Sequence, residues 1–343
     1  DYDQGGFLPV FPHPVILSQR LRDIDTGEER VEVMSWDNGR LSRLVCEAET
    51  GSNTRSITSL RRFGIRVTSE NARELVAFLS EFLTVNIGAI PVVRSSRRLG
   101  WEDERCQCFL PYDKALVFGG ETGQQRAFLA VRSQGELEVW KKAIAQGMEN
   151  PITRTYLMAS FASPLVGALK KLPFIVHAGG GSGSGKTVAL YAAASVWGKP
   201  EDMTLTFDDT KVAIERYSGM FHSLPVFINE GETKSRHMEF SDFIYQFCEG
   251  KGRGRGNKTG GVDYIETWQS VAITNAESSM LGPDSKEGAI NRVIDLDCGG
   301  GMRFFPDLQG TADLVKEHYG HAGRVYLSHL EERWLTPEGR PLL

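Results

Sequence analysis

Nowhere in the 343 residues does an apolar run approach the roughly 20 residues that a membrane-spanning helix needs, so no membrane segment is expected. Cysteine is scarce: five are present, and only Cys106 and Cys108 lie close together. With no second pair and no suitably spaced histidine, they make neither a disulfide framework nor a zinc ligand set. A reducing, cytoplasmic setting is expected. The chain opens on Asp1 without a charged start, an apolar stretch and a small-residue cleavage site, so a piece of a longer chain is expected. Surplus positive charge is missing too. The formal net charge is −5, which excludes a protein coated for general nucleic-acid binding and confines any DNA contact to a concentrated basic element. Internal repeats are absent.

What is present is ordinary for a globular protein, with 41% hydrophobic and 24% charged residues. The length suits two domains better than one core. From Gly6 to about Thr68, short β-prone pieces such as Val31 to Trp36 alternate with turn residues such as Asp37, Asn38 and Gly39. Leu75, Phe78, Leu79 and Phe82 then recur at helical spacing and are expected in a core. Residues from Val92 to Gly135 read as further strands and loops, and Leu137 to Ala145 as helix. A helix from about Arg154 to Lys171 carries Pro164, which is expected to kink or divide it. The domain boundary is expected near Glu149-Asn150-Pro151, giving an α+β domain over 1–150.

Beyond that point strands and helices alternate, the pattern of an α/β domain with a largely parallel sheet. Strands are expected at about Phe174 to His177, Thr204 to Phe207, Pro225 to Ile228, Val271 to Thr274 and Val293 to Leu296. The expected core spans 151–310, with a helical extension over 311–343.

Gly180-Gly181-Ser182-Gly183-Ser184-Gly185-Lys186-Thr187 fits GxxxxGK[ST], in which glycines let backbone N–H groups converge on phosphate oxygens. Lys186 would pair with the β- and γ-phosphates, Thr187 would offer its hydroxyl to Mg²⁺, and the following helix would point its positive end at the same charge. A Gly/Ser run also suits a flexible linker. The apolar strand before it and the Ala-rich helix after it favour the phosphate loop, and hence ATP with Mg²⁺ as ligands.

Pro225-Val226-Phe227-Ile228-Asn229-Glu230 is an apolar strand ending in Asn-Glu. Glu230 is the candidate for polarising an attacking water, or else a solvated strand-end carboxylate. Asn229 stands where a carboxylate would hold Mg²⁺ through its water shell; an amide can accept a hydrogen bond from such a water but brings no charge. Asn275, closing the strand from Ser270, is a candidate γ-phosphate sensor or a turn-forming residue. Arg292, before the last strand, is a candidate arginine finger toward a neighbouring subunit or a surface ion-pair residue. A helix bearing Phe240, Phe243, Ile244 and Phe247 on one face leads into Gly250-Lys251-Gly252-Arg253-Gly254-Arg255-Gly256-Asn257-Lys258. Its cations Lys251, Arg253, Arg255 and Lys258 suit a phosphate backbone, a bound nucleotide or simply solvent.

Together these features resemble the domain of unknown function 927 family. The likeness runs over nearly the whole chain and is carried by Leu99-Gly100-Trp101, Ala162-Ser163-Pro164-Leu165, Gly183 to Thr187, Ser195-Val196-Trp197-Gly198, Thr210 to Glu215, Tyr245 to Arg253 and Thr267-Trp268. It implies a helicase-like P-loop NTPase of phages and mobile elements with an AAA+-like core, often joined to a primase domain and acting as a ring-shaped homo-oligomer on single-stranded DNA. By position it implies that Lys186 and Thr187 bind nucleotide and Mg²⁺, Glu230 activates water, Asn275 senses phosphate and Arg292 acts across the subunit interface. Asn229 departs from the family's usual Asp. Two other readings stand beside this one: a nucleotide-binding scaffold with little turnover, and a small-molecule kinase using the same loop.

Overall fold

The computed structural model describes residues 11–106, 108–120, 122–230, 239–254, 256, 264–299 and 302–334. The chain forms two compact units, one of residues 1–97 and 114–122, the other of 98–113 and 123–343.

In the first unit, strands β1 (Val15–Asp23), β2 (Glu29–Asp37) and β3 (Arg40–Glu47) form an antiparallel meander. Asn38 and Gly39, both at positive φ, make the tight β2–β3 turn, the Asn-Gly solution that suits the twist of a hairpin. A short helix α1 (Thr54–Ile57), a 3-10 turn Thr58–Phe63 and helix α2 (Ala72–Asn86) follow, then β4 (Val92–Ser96) parallel to β1. The chain passes through the second unit as β5 (Gly100–Trp101) and β6 (Phe109–Leu110) and returns as β7 (Val117–Phe118), giving the sheet order β3-β2-β1-β4-β7. Val15, Leu17, Val31 and Val33 from one sheet face bury against Leu75 and Leu79 of α2 with Ile57, Leu60, Ile65 and Val67. Phe78 was expected among them but is 47% exposed. It lies roughly 60° round the helix from Leu75, at the margin of the buried stripe.

The second unit holds α3 (Thr122–Ala130), α4 (Leu137–Ala145), α5 (Pro151–Ala168), β8 (Phe174–Gly179), α6 (Lys186–Ala194), α7 (Pro200–Met203), β9 (Thr204–Thr206), α8 (Lys211–Phe221), β10 (Val226–Asn229), α9 (Phe240–Cys248), β11 (Val271–Ala276), α10 (Glu287–Ile290), β12 (Val293–Asp297), α11 (Leu308–Glu317) and α12 (His321–Arg333). Its five strands sit where the sequence puts them. They pair in parallel in the order β12-β8-β11-β10-β9, so all the C-terminal ends share one edge. Parallel strands need both faces covered, which is why β10 and β11 are nearly continuous apolar runs.

Four expectations are corrected. Residues 122–130 form a helix within the stretch read as strands and loops. The helix read as starting near Arg154 begins at Pro151, with the Asn150 side chain accepting from the backbone N–H groups of Ile152 and Thr153. Asn-Pro is here an N-cap followed by a proline at the first helical position, where no N–H is missed, and not an interdomain break. α4 and α5, on either side of the expected boundary, both belong to the second unit: the Trp140 indole donates to Ser195 Oγ at 2.8 Å, and Tyr156 of α5 donates to the Thr274 carbonyl of β11. α5 also runs undivided through Pro164, whose carbonyl accepts from the Trp101 indole at 2.9 Å while neighbouring Ser163 donates to the Ser223 carbonyl. These contacts hold the segment where the ring removes an intrahelical bond.

Candidate functional site

The site starts at the C-terminal end of β8. The chain leaves the sheet through Gly179 and enters α6 after Gly185. Gly180, Gly183 and Gly185 have φ of 149°, 87° and 103°, conformations that side-chain-bearing residues rarely adopt. Space is short as well: a Cβ on Gly179 would stand 2.7 Å from the Ser278 carbonyl oxygen, and one on Gly185 2.4 Å from a Leu308 methyl. Gly179, Gly180, Gly183 and Gly185 are therefore set by geometry rather than by a need for flexibility. α6 then presents its N-terminal N–H groups, with their partial positive charge, to the loop's mouth.

Lys186, the first residue of α6, is buried at 8% exposure. Its ammonium donates to the Gly180 carbonyl and, at 2.7 Å, to that of Gly181, so the side chain folds back across its own loop. Such a buried cation needs acceptors, and here the loop's carbonyls supply them.

The neighbouring strands bring the next residues to the same edge. Thr187 Oγ1 donates to Asn229 Oδ1 over 3.4 Å, joining the second residue of α6 to the end of β10. The backbone N–H of Glu230 donates to Asn275 Oδ1 at 3.1 Å, joining the end of β10 to β11, which lies between β10 and β8. Asn275 is 1% exposed, and its Nδ2 has no hydrogen-bond partner among the described residues. One end of the amide is thus anchored and the other is a buried donor without an acceptor, a costly state that an added acceptor would relieve. Lys186, Thr187, Asn229, Glu230 and Asn275 are gathered at one edge.

Arg292 is not. It precedes β12, whose first residue pairs with Ile175 near the start of β8, so it sits at the opposite edge of the sheet, about 16 Å of strand away from the loop. The guanidinium donates to the Gly288 carbonyl at 2.6 Å and packs 5.4 Å from the Tyr245 ring centroid. Lys251 and Arg253 share that edge. α9 runs from Phe240, whose ring meets His177 and Phe207 near the strand ends, down to Cys248 beside the Arg292 carbonyl. There Lys251 forms an antiparallel bridge with Thr267, and Gly252 N–H donates to the Glu266 carbonyl, just upstream of β11. Neither cation reaches the loop of its own chain. Arg255 and Lys258 lie outside the described residues.

One residue went unread in the sequence. His177 is fully buried in β8, the one ionisable side chain in that strand; its Nε2 donates to the Ser278 carbonyl at 3.0 Å, and its Nδ1 accepts from Thr274 Oγ1 at 2.8 Å. It ties β8 to the residue before Asn275 and to the turn that packs on Gly179. A histidine inside an otherwise apolar strand was the available signal. On the β12 side, a cavity of about 410 Å³ opens beside Gly179 and Gly180, and Glu277, Asp295 and Asp297 line it, so it is acidic.

The profile of the family described as "Domain of unknown function (DUF927)" matches residues 5–266. No curated protein matches. Among solved structures, "SCCmec type IV Cch - active helicase" superposes with a TM-score of 0.68 at 18% identity, covering 93% of this chain and 61% of that one. The chain therefore spans under two thirds of that relative, and the likeness shows a shared fold. "The A form apo structure of NrS-1 C terminal region-CTR" aligns at 10% identity with a TM-score of 0.40, over 94% of this chain and 71% of that one.

Proposed function

We propose that this chain, which belongs to the domain of unknown function 927 family, is an ATPase with an AAA+-like P-loop core that works on single-stranded DNA as a ring-shaped homo-oligomer, as a helicase or translocase. The observation that carries the reading is the convergence of Lys186, Thr187, Glu230 and the unpartnered Asn275 amide at one edge of a parallel sheet in which β11 separates the loop strand from the glutamate strand. The residues present fit a Mg²⁺-bound triphosphate: glycines where a Cβ would obstruct, a buried lysine, a helix N-terminus and a buried donor awaiting an oxygen.

In this reading the Lys186 ammonium leaves the Gly180 and Gly181 carbonyls for the β- and γ-phosphate oxygens, so binding exchanges one set of acceptors for a more strongly charged one. Asn275 Nδ2 donates to a γ-phosphate oxygen while its Oδ1 stays on the Glu230 N–H, so the bound phosphate fixes the glutamate backbone. Glu230 orients the attacking water. Mg²⁺, held through Thr187 and, by way of water, Asn229, would supply charge neutralisation across the phosphates. Arg292 and the loop from Lys251 to Lys258 do their work on other molecules, Arg292 on the nucleotide of an adjacent copy and the loop on the DNA backbone. The helicase fold of the similar structure supports this reading.

The test is steady-state ATP hydrolysis with and without single-stranded DNA, run beside a mass measurement with a slowly hydrolysed ATP analogue. Acceleration by DNA and assembly beyond a monomer are expected; equal rates with and without DNA would overturn the DNA reading. Asn229 favours a second reading, an ATP-held scaffold with negligible turnover, because its amide lacks the carboxylate's charge. Multiple turnovers that Asn229→Asp raises only slightly would eliminate it.

A further inference from the structure

The edge of the first unit's sheet gathers arginines and exposed apolar side chains. Between Asp1 and Arg97 there is no lysine; the basic residues are all arginines. Several are engaged within the unit: Arg20 and Arg22 with Glu29, Arg30 with Glu47, Arg66 with Asp37, and Arg97 with Asp23 and Glu28. Among the described residues, Arg40, Arg55, Arg61, Arg62 and Arg73 have no side-chain ion pair or hydrogen bond. Two of these, Arg40 and Arg62, come together. A groove of about 620 Å³ along β3, the outermost strand, is lined by Arg40, Arg43 and Arg62 with Leu41 and Phe63. Arg43 has only a 3.8 Å approach to Glu32, and Asp37 is taken by Arg66, so the groove is positive.

Its apolar walls are Leu41 and Phe63, and Trp36 adjoins Leu41 outside the groove. Leu41 pairs directly with Trp36 across the β2–β3 ladder, which places both on the sheet face away from α2. Trp36 is 51% exposed, Leu41 41% and Phe63 36%. Large side chains on a sheet surface beside free guanidinium groups are not what a solvated face needs. They match an unpaired nucleic acid strand, whose bases stack on flat rings while its phosphates meet arginines. A duplex hides its base faces, and an acidic peptide would use the arginines without the indole.

We propose that this groove, lined by Arg40, Leu41, Arg43, Arg62 and Phe63, binds single-stranded DNA together with Trp36, which lies beside Leu41 on the same sheet face. The proposal rests on the DNA reading above and extends it to a unit far in sequence from the Lys251 loop. The first unit then holds a strand independently of nucleotide state.

The test measures fluorescence anisotropy of a labelled dT30 strand with the full chain in the absence of ATP, for the wild type, Trp36→Ala, Trp36→Phe and the Arg40→Ala/Arg62→Ala pair. Thermal melting and DNA-free hydrolysis serve as controls. The paired arginine variant is expected to bind at least about tenfold more weakly and to flatten the salt dependence by about 1.4 in slope, two phosphate contacts' worth. Trp36→Ala should weaken dT30 binding about tenfold, Trp36→Phe should restore most of it, and an abasic strand of the same length should not distinguish Trp36→Ala from wild type. If wild type binds dT30 and every variant matches it in affinity and salt slope, the groove proposal fails while the DNA reading stands. If dT30 and the abasic strand bind wild type equally, the groove is not a site for base-bearing strands. Wild type that neither binds dT30 nor hydrolyses faster with it overturns both readings.

Discussion

The two edges of the parallel sheet differ in how far one chain completes them. At the C-terminal edge, candidate residues are tied to one another: Thr187 to Asn229, the Glu230 backbone to Asn275, Lys186 to its own loop. At the N-terminal edge, Arg292 rests on Gly288 and Tyr245, and Lys251 and Arg253 sit on a short ladder with no site of their own chain in reach. The strands run between the edges as rigid spacers. The difference teaches that a parallel sheet keeps two groups of candidate residues apart, and under the proposed function it separates those that act on a ligand of the same chain from those whose ligand comes from another molecule.

Four substitutions sharpen that contrast. Lys186→Ala should have the largest effect, lowering hydrolysis by at least about a hundredfold and abolishing binding of a fluorescent ATP analogue. Melting should hardly change, because the lysine's acceptors are only loop carbonyls. Asn275→Ala should lower kcat about ten- to a hundredfold with a smaller change in KM for ATP, since the lost donor acts on the γ-phosphate. A rise in KM with kcat intact would assign Asn275 to ground-state binding instead. Arg253→Ala, at the other edge, should leave DNA-free hydrolysis unchanged and reduce DNA stimulation severalfold, with a salt slope lower by about 0.7. An equal loss with and without DNA would place it in the catalytic edge after all.

The smallest effect concerns an anchor of the N-terminal edge. His222 closes α8 at φ 50°, and its carbonyl accepts from Gln269 N–H just before β11. Burial, reinforced by the neighbouring Arg98 guanidinium, pushes its imidazole down to about 3. The unfolded chain therefore binds a proton between pH 6.5 and about 3 that the folded chain refuses. Stability contributed by the neutral ring is full above pH 6.5 and lost as pH falls through that window. His222→Asn, which removes the ionisable ring, should flatten the urea midpoint's pH dependence there, by about 1 to 2 kcal/mol at about pH 5. Parallel curves would refute it.

The sheet was legible because its strands are short apolar runs between turn residues, and the loop because strand, glycines and helix follow in order. Leu137 to Ala145 was read to the residue. What sequence could not show was distance across the fold. For Arg292, which the sequence offers as a finger toward a neighbouring subunit or a surface ion-pair residue, only the β8–β12 register gives its place, at the edge away from its own loop. The Asn150-Pro151 pair reads as a domain boundary in the sequence, and only the structure shows it as the cap of α5. Arg40 and Arg62 became a groove only through the β2–β3 pairing and the 3-10 turn that brings Arg62 and Phe63 beside β3.

The central claim is that the two edges cooperate across copies of the chain. Lys186→Ala subunits keep Arg292 but lack a working loop; Arg292→Ala subunits keep the loop but lack the arginine. Hydrolysis by an equimolar mixture of the two variants, compared with each alone at the same total concentration, tests it most directly. The account predicts two nearly inactive parents and a mixture with clearly restored hydrolysis, from interfaces that pair an intact loop with an intact arginine. A mixture no faster than the mean of its parents would contradict it.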